Sequence, residues 1–370
     1  MTLSNLTFYN KNLEVEKGSI QVKNGKIIRL KEIDAETTDM GGLTALPGFI
    51  DIHTHGIGGA DACDKSIASF NILSSHYAKH GVTSFCPTTM TLSFDELKEI
   101  FQSVENYKGK ECGAYIHGIN MEGPYISAEK CGAQNKEYIR KADINEFLAL
   151  NSISKISLVD LAPETENALD FANEISKICV CSVAHTNASY EETKEAFENG
   201  FSHVTHFFNA MTPLTHRAPG VVGAVFENNS AKSEIICDGF HLSPATVRLA
   251  FKILGDERCV AISDSLSSTD CEDGEYMLGG QKVYVKNGKA HLFDGTIAGS
   301  TTNLFDEFKN LLSFGIPFKS ALKACTVNPA KAIGVYDVCG SIEEGKNADL
   351  IFVDNELNLK HVMVKGKMIF

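Results

Sequence analysis

His53-Thr54-His55 stands directly after the strand-like run Gly48-Phe49-Ile50-Asp51-Ile52. Side chains alternate faces along a strand, so the two imidazoles project together, and a pair aimed at one point suits a divalent transition metal. Alone, a His-x-His pair is as often incidental as ligating. Its weight depends on further ligands arriving at the ends of later strands, and four candidates do. Glu122 follows Ile119-Asn120-Met121 and precedes Gly123-Pro124; His185 ends Val183-Ala184; His206 sits in His203-Val204-Thr205-His206; Asp264 ends Ala261-Ile262-Ser263. Each has a plainer reading: a hydrogen-bonded strand histidine, a surface carboxylate at a turn, or a cap for the next segment. Their joint placement makes coincidence improbable.

The elements that must position these groups are legible in the pattern. Extended candidates are Phe49-Ile52, Val82-Cys86, Ala114-Met121, Ile156-Leu161, Cys179-Ala184, His203-Phe207, Glu234-Cys237 and Cys259-Ile262, most of them apolar or β-branched. Helical segments lie between most of them. Ser93-Phe94-Asp95-Glu96 is a capping box ahead of Leu97, Ile100, Phe101 and Val104 at helical spacing. Ser189-Tyr190-Glu191-Glu192 opens another helix that Gly200 can close, and Ser243-Pro244 opens a third that ends at Gly255. Strand and helix alternating about eight times predict a parallel sheet closed into a (β/α)₈ barrel, whose catalytic groups sit at the carboxyl ends of its strands. Both chain ends read as β-rich, with Asn24-Gly25 as a hairpin turn. The expected division is a small β-sandwich from residues 1–47 and 334–370, with the barrel, residues 48–333, inserted between its halves.

Composition narrows the function. The 370 residues are 43% hydrophobic and carry a formal net charge of -13, a field that repels nucleic acid and anionic lipid. The start lacks a basic segment leading into an apolar run, and no stretch is apolar for long enough to cross a bilayer, so a cytoplasmic location is the default. Eleven cysteines without a Cys-x-x-Cys pair read as reduced, buried thiols. Cys179 and Cys181 are two apart but lie in a core-like run, which favours packing over ligation.

The chain resembles the N-acetylglucosamine-6-phosphate deacetylase family of the amidohydrolase superfamily almost end to end. The likeness is carried by Pro47-Gly48-Phe49-Ile50-Asp51-Ile52-His53-Thr54-His55-Gly56, Met121-Glu122-Gly123-Pro124, Leu161-Ala162-Pro163-Glu164 and Ala184-His185-Thr186-Asn187. Further stretches are His206-Phe207-Phe208-Asn209-Ala210-Met211, Arg217-Ala218-Pro219-Gly220, Asp238-Gly239-Phe240-His241, Ser263-Asp264, Ala298-Gly299-Ser300 and Thr326-Val327-Asn328-Pro329-Ala330. The resemblance implies that Glu122, His185 and His206 bind a principal divalent metal, and that His53 and His55, with Glu122 bridging and Asp264 nearby, can hold a second; relatives without the second histidine use one metal, so one or two ions per subunit are expected. Zinc and iron both fit such donors. It implies Asp264 as general base and acid in amide hydrolysis, Gln134 on the acetamide, and Asn209, the Ala210 backbone, Arg217 and His241 on the sugar phosphate. In relatives the arginine can come from a neighbouring subunit, which implies a homodimer. Two departures stand out: Asn120 where many relatives have histidine, and Ser265 where a small apolar residue is common. A cyclic amidase or deaminase is one rival, but many cyclic amidases need a lysine at the fourth strand's end, which here reads Asp160-Leu161-Ala162-Pro163-Glu164. A non-catalytic scaffold is the other, and it has no use for the ligand set.

Overall fold

The computed structural model describes residues 1–30 and 37–370. Eight parallel strands line up in chain order: Phe49–Thr54, Val82–Thr89, Ile119–Glu122, Ile156–Leu161, Val180–Val183, Phe201–Val204, Lys232–Ile236 and Cys259–Ile262. Each pairs with the next. The ring closes just beyond the last strand, where the Asp264 N–H donates to the His53 carbonyl at 3.0 Å and the His55 N–H to the Ser265 carbonyl at 2.9 Å. All residues of the first, second and fourth strands are buried, as expected of a barrel filled inside and covered by helices outside.

The expected run Ala114-Met121 is broken in two. Tyr115–Ile116 pairs with the second strand, then Gly118 interrupts at φ +149° before Ile119–Glu122 resumes. A Cβ at Gly118 would stand 2.3 Å from Ser157 Oγ, so the break needs glycine. The expected His203-Phe207 strand shifts to Phe201–Val204, which frees His206 from the ladder.

Helix starts fall where the caps put them. Phe94–Tyr107 has both bonds of its capping box, Ser93 with Glu96, and Tyr190–Glu198 has the same with Ser189 and Glu192. Pro244–Leu254 begins on proline after Ser243 and ends at Gly255. Among the described residues no helix is long and apolar enough to cross a membrane.

Strands from both chain ends share one sheet. Leu350–Val353 pairs antiparallel with Thr44–Pro47, which runs parallel to Thr2–Tyr9. Period-two alternation divides its side chains: Leu350 and Phe352 join Leu3, Phe8, Ile20 and Met363 in a separate core, while Ile351 and Val353 face the barrel core. The strand-rich ends were expected; a third sheet was not. Gly274–Leu278, Gln281–Lys286 and Lys289–His291 form an antiparallel meander after the eighth barrel strand. Its turns are Gly279-Gly280 and Asn287-Gly288, all four at positive φ, a pattern readable as two tight hairpins.

Candidate metal centre

The barrel mouth opens on a cavity of about 550 Å³, with His55, Glu122, His185, His206 and Asp264 in its wall. Strand parity sets the first pair: His53 and His55 project inward from one face, their rings 5.4 Å apart. Glu122 is the last residue of the third strand. His185, His206 and Asp264 each stand just past a strand end with left-handed backbone, at φ +42°, +29° and +48°. Such conformations cost of order 1–3 kcal/mol each in non-glycine residues and persist where surrounding structure holds them. Here they turn three side chains off the ladder and into the mouth.

All four imidazoles meet the one carboxylate. Glu122 Oε1 lies 2.9 Å from His185 Nε2, 3.2 Å from His206 Nε2 and 3.7 Å from His53 Nε2, while Oε2 lies 3.3 Å from His55 Nε2. Asp264 Oδ1 is 3.2 Å from His55 Nε2 and 3.6 Å from His53 Nε2. Glu122, His185 and His206 present ligand atoms within 4.8 Å of one another, as do His53, His55 and Asp264.

The outer nitrogens show what these inner atoms need. His55 Nδ1 meets the Thr88 carbonyl at 3.2 Å and His185 Nδ1 the Lys130 carbonyl at 2.8 Å. A carbonyl only accepts, so in both rings Nδ1 carries a proton. In neutral rings that leaves Nε2 as a lone pair facing carboxylate oxygen, and His185 Nε2 also stands 3.1 Å from His206 Nε2. Lone pairs converging on an anion call for positive charge between them, from protons or from a metal ion. His53 Nε2 makes the same point, being buried with no hydrogen-bond partner. The donor set fits a divalent ion.

The electrostatics agree. Burial opposes ionisation of Glu122, but hydrogen bonds from His185 and His206 and the charge of His53 hold its pKa well below the usual range. Burial would likewise discharge His55, yet bonds to Asp264 and Glu122 push it up to about 10. His53 is raised well above the ordinary value as the charges of Glu234 and Glu122 outweigh burial. With carboxylates this close, either protons or a metal must supply the positive charge, so metal uptake displaces protons.

The other expected residues divide. Asn209, Ala210 and His241 line the same cavity. His241 Nδ1 is held by Asp238 Oδ2 at 2.7 Å, which turns its remaining nitrogen outward from that pair. Gln134 lines the cavity too, with both ends of its amide engaged: Nε2 donates to Glu122 Oε2 at 2.7 Å and Oε1 accepts from the Thr91 N–H at 2.6 Å. Arg217 is exposed, on the loop before Gly220–Glu227, outside the residues lining the cavity. Cys179 and Cys181 are buried in the barrel core. Asn120 Nδ2 donates to the Ile52 carbonyl across the barrel interior, linking the third strand to the first, and Ser265 Oγ bonds Thr54 Oγ1 and the Gly56 carbonyl where the ring closes.

Sequence reading missed three groups. Lys130 and Lys136 line the cavity and supply positive charge in an acidic chain. Glu234, fully buried, contacts His53 and the His206 backbone. A carboxylate directly ahead of the apolar run Ile235-Ile236 in a parallel strand was the available signal, because such a group is buried and must be paired.

Residues 44–369 match the Amidohydrolase family. The chain is 32% identical over its whole length to N-acetylglucosamine-6-phosphate deacetylase of Bacillus subtilis, covering 97% of that protein. The crystal structure of N-acetylglucosamine-6-phosphate deacetylase from Pasteurella multocida superposes with a TM-score of 0.93 at 31% identity, covering 99% of this chain and 98% of that one. A mutant of the Mycobacterium smegmatis deacetylase in complex with N-acetyl-D-glucosamine-6-phosphate gives a TM-score of 0.93 at 28% identity, covering 100% and 99%. On its barrel, its ligand-bearing strand ends and this full-length match, the chain belongs to the amidohydrolase family.

Proposed function

We propose that this chain hydrolyses the acetamide of N-acetyl-D-glucosamine 6-phosphate to D-glucosamine 6-phosphate and acetate. The observation that carries this is the convergence of four imidazoles and two carboxylates at one cavity, His53 buried behind its wall, a wall that also holds Asn209, Ala210 and His241, in a chain similar end to end to deacetylases of that substrate. Glu122, His185 and His206 would hold one divalent ion, zinc or iron, and His53 and His55 with Glu122 and Asp264 a second. A divalent ion bound there brings the pKa of water from about 15.7 to roughly 7 and polarises a carbonyl.

The chain's own groups do the rest. Asp264, 7% exposed at the cavity wall, takes a proton from the attacking water and delivers it to the departing sugar nitrogen as the C–N bond breaks, a role typically worth ~10²- to 10⁴-fold. Its carboxylate is held ionised and so free to accept a proton, since burial is outweighed by the His55 hydrogen bond and its pKa is lowered. Gln134, tied to Glu122 Oε2 through Nε2, helps hold the acetamide. Asn209, the Ala210 backbone and His241 receive the phosphate. Arg217 completes that site from a neighbouring copy, consistent with its exposed position here, so the working unit is a homodimer. Residues 1–47 with 334–370 act as a supporting domain for the barrel of residues 48–333. The setting is cytoplasmic amino-sugar catabolism or cell-wall recycling.

Acetate release tests the reading. Turnover should be much faster on N-acetylglucosamine 6-phosphate than on the unphosphorylated sugar. Equal rates remove the phosphate-site argument, and hydrolysis of a cyclic amide instead reinstates the rival amidase.

A further inference from the structure

Glu234 lies in the middle of the seventh barrel strand with no exposed surface. Its Oε2 accepts from His53 Nδ1 at 2.9 Å and from the His206 N–H at 3.2 Å, and its Oε1 lies 3.1 Å from His203 Nε2. Its own carbonyl accepts from the Phe207 N–H at 2.8 Å. One side chain thus links the first barrel strand to the segment leaving the sixth.

An ionised carboxylate only accepts, so His53 Nδ1 is the donor in this contact. Nε2 is then the atom that faces Glu122 Oε1 at 3.7 Å and Asp264 Oδ1 at 3.6 Å, with no hydrogen-bond partner of its own. Asp160 Oδ2, the other carboxyl oxygen near that Nδ1, stands beyond hydrogen-bond distance at 4.0 Å, while Asp160 Oδ1 accepts from Thr205 Oγ1 at 2.8 Å. No other group competes at hydrogen-bond distance for His53 Nδ1 among the described residues.

We propose that Glu234 is a positioning residue: it fixes His53 with the proton on Nδ1 and strengthens Nε2 as a donor to a divalent cation on the His53, His55 and Asp264 side of the cavity. This rests on the metal-site reading above. Loss of a carboxylate behind a ligating imidazole typically costs 10- to 100-fold in metal affinity.

The test is zinc binding to metal-stripped protein by chelator competition, in the unaltered chain, E234Q, H53A and the double variant. E234Q should weaken the more loosely held zinc 10- to 100-fold, H53A should do so as well, and E234Q should add nothing in the H53A background. Unchanged affinity in E234Q overturns the proposal. So does an equal further loss in the H53A background, which marks general packing support. Nitrogen NMR of histidine-labelled, unaltered protein reads the same point without a substitution that could fail to fold. A His53 protonated on Nδ1 supports the proposal, and one protonated on Nε2 alone overturns it. Unaltered protein that takes up no zinc overturns the metal-site reading itself, and this inference with it.

Discussion

Replacing Asp264 by asparagine separates proton transfer from metal binding. The side chains are nearly the same size, and asparagine tolerates the left-handed backbone that Asp264 adopts at φ +48°. The fold should therefore survive. Glu122, His185 and His206 are untouched, so the principal ion should stay bound. What disappears is a carboxylate 3.2 Å from His55 Nε2 that can hold and return a proton. At ~10²- to 10⁴-fold for general acid and base work, the barrier rises by about 2.7–5.4 kcal/mol, using 1.36 kcal/mol per tenfold. Acetate release under saturating substrate, with metal content measured on the same sample, reads both quantities. A metal-loaded D264N protein that keeps more than about a third of the original kcat refutes the assignment, because the expected loss is at least about a hundredfold.

Two further outcomes follow from the geometry. Arg217→Ala should raise KM for the phosphorylated sugar while leaving kcat and the unphosphorylated sugar nearly unchanged; an unaltered KM shows that other groups hold the phosphate. His117 is packed against Tyr115 and Cys339, where burial and the charges of Lys365 and Lys155 push its pKa down to about 3. Below its ordinary pKa of about 6.5 only the unfolded chain takes up this proton, so stability falls as pH drops through the window between about 6.5 and about 3. At pH 5 the loss is at most about 2 kcal/mol, an upper bound because the residue is not fully buried. Chemical denaturation of the parent and H117N at pH 7 and pH 5 checks it, and an equal pH slope in both contradicts the reasoning.

The features legible in the sequence are those set by local rules. Strand parity put His53 and His55 on one face, capping boxes marked Ser93 and Ser189, and strand-end residues announced Glu122, His185, His206 and Asp264. What escaped depends on neighbours distant in the chain. Glu234 is one charged residue in a short strand until His53, 181 positions away, is brought against it. Gln134 was legible as a candidate, but its bonds to Glu122 and Thr91 were not, because they form only once the chain folds. The break at Gly118 answers to Ser157 on the adjacent strand. The meander from Gly274 to His291 is a different case, since its Gly279-Gly280 and Asn287-Gly288 turns are written locally.

The central claim is that Glu122, His185 and His206 surround a cation. Elemental analysis of the purified chain beside an H185A/H206A variant measures this directly. One or two equivalents of zinc or iron per chain, lost together with acetate release in the variant, is the predicted result. Protein that releases acetate at full rate while holding less than about a tenth of an equivalent of any divalent metal would contradict it.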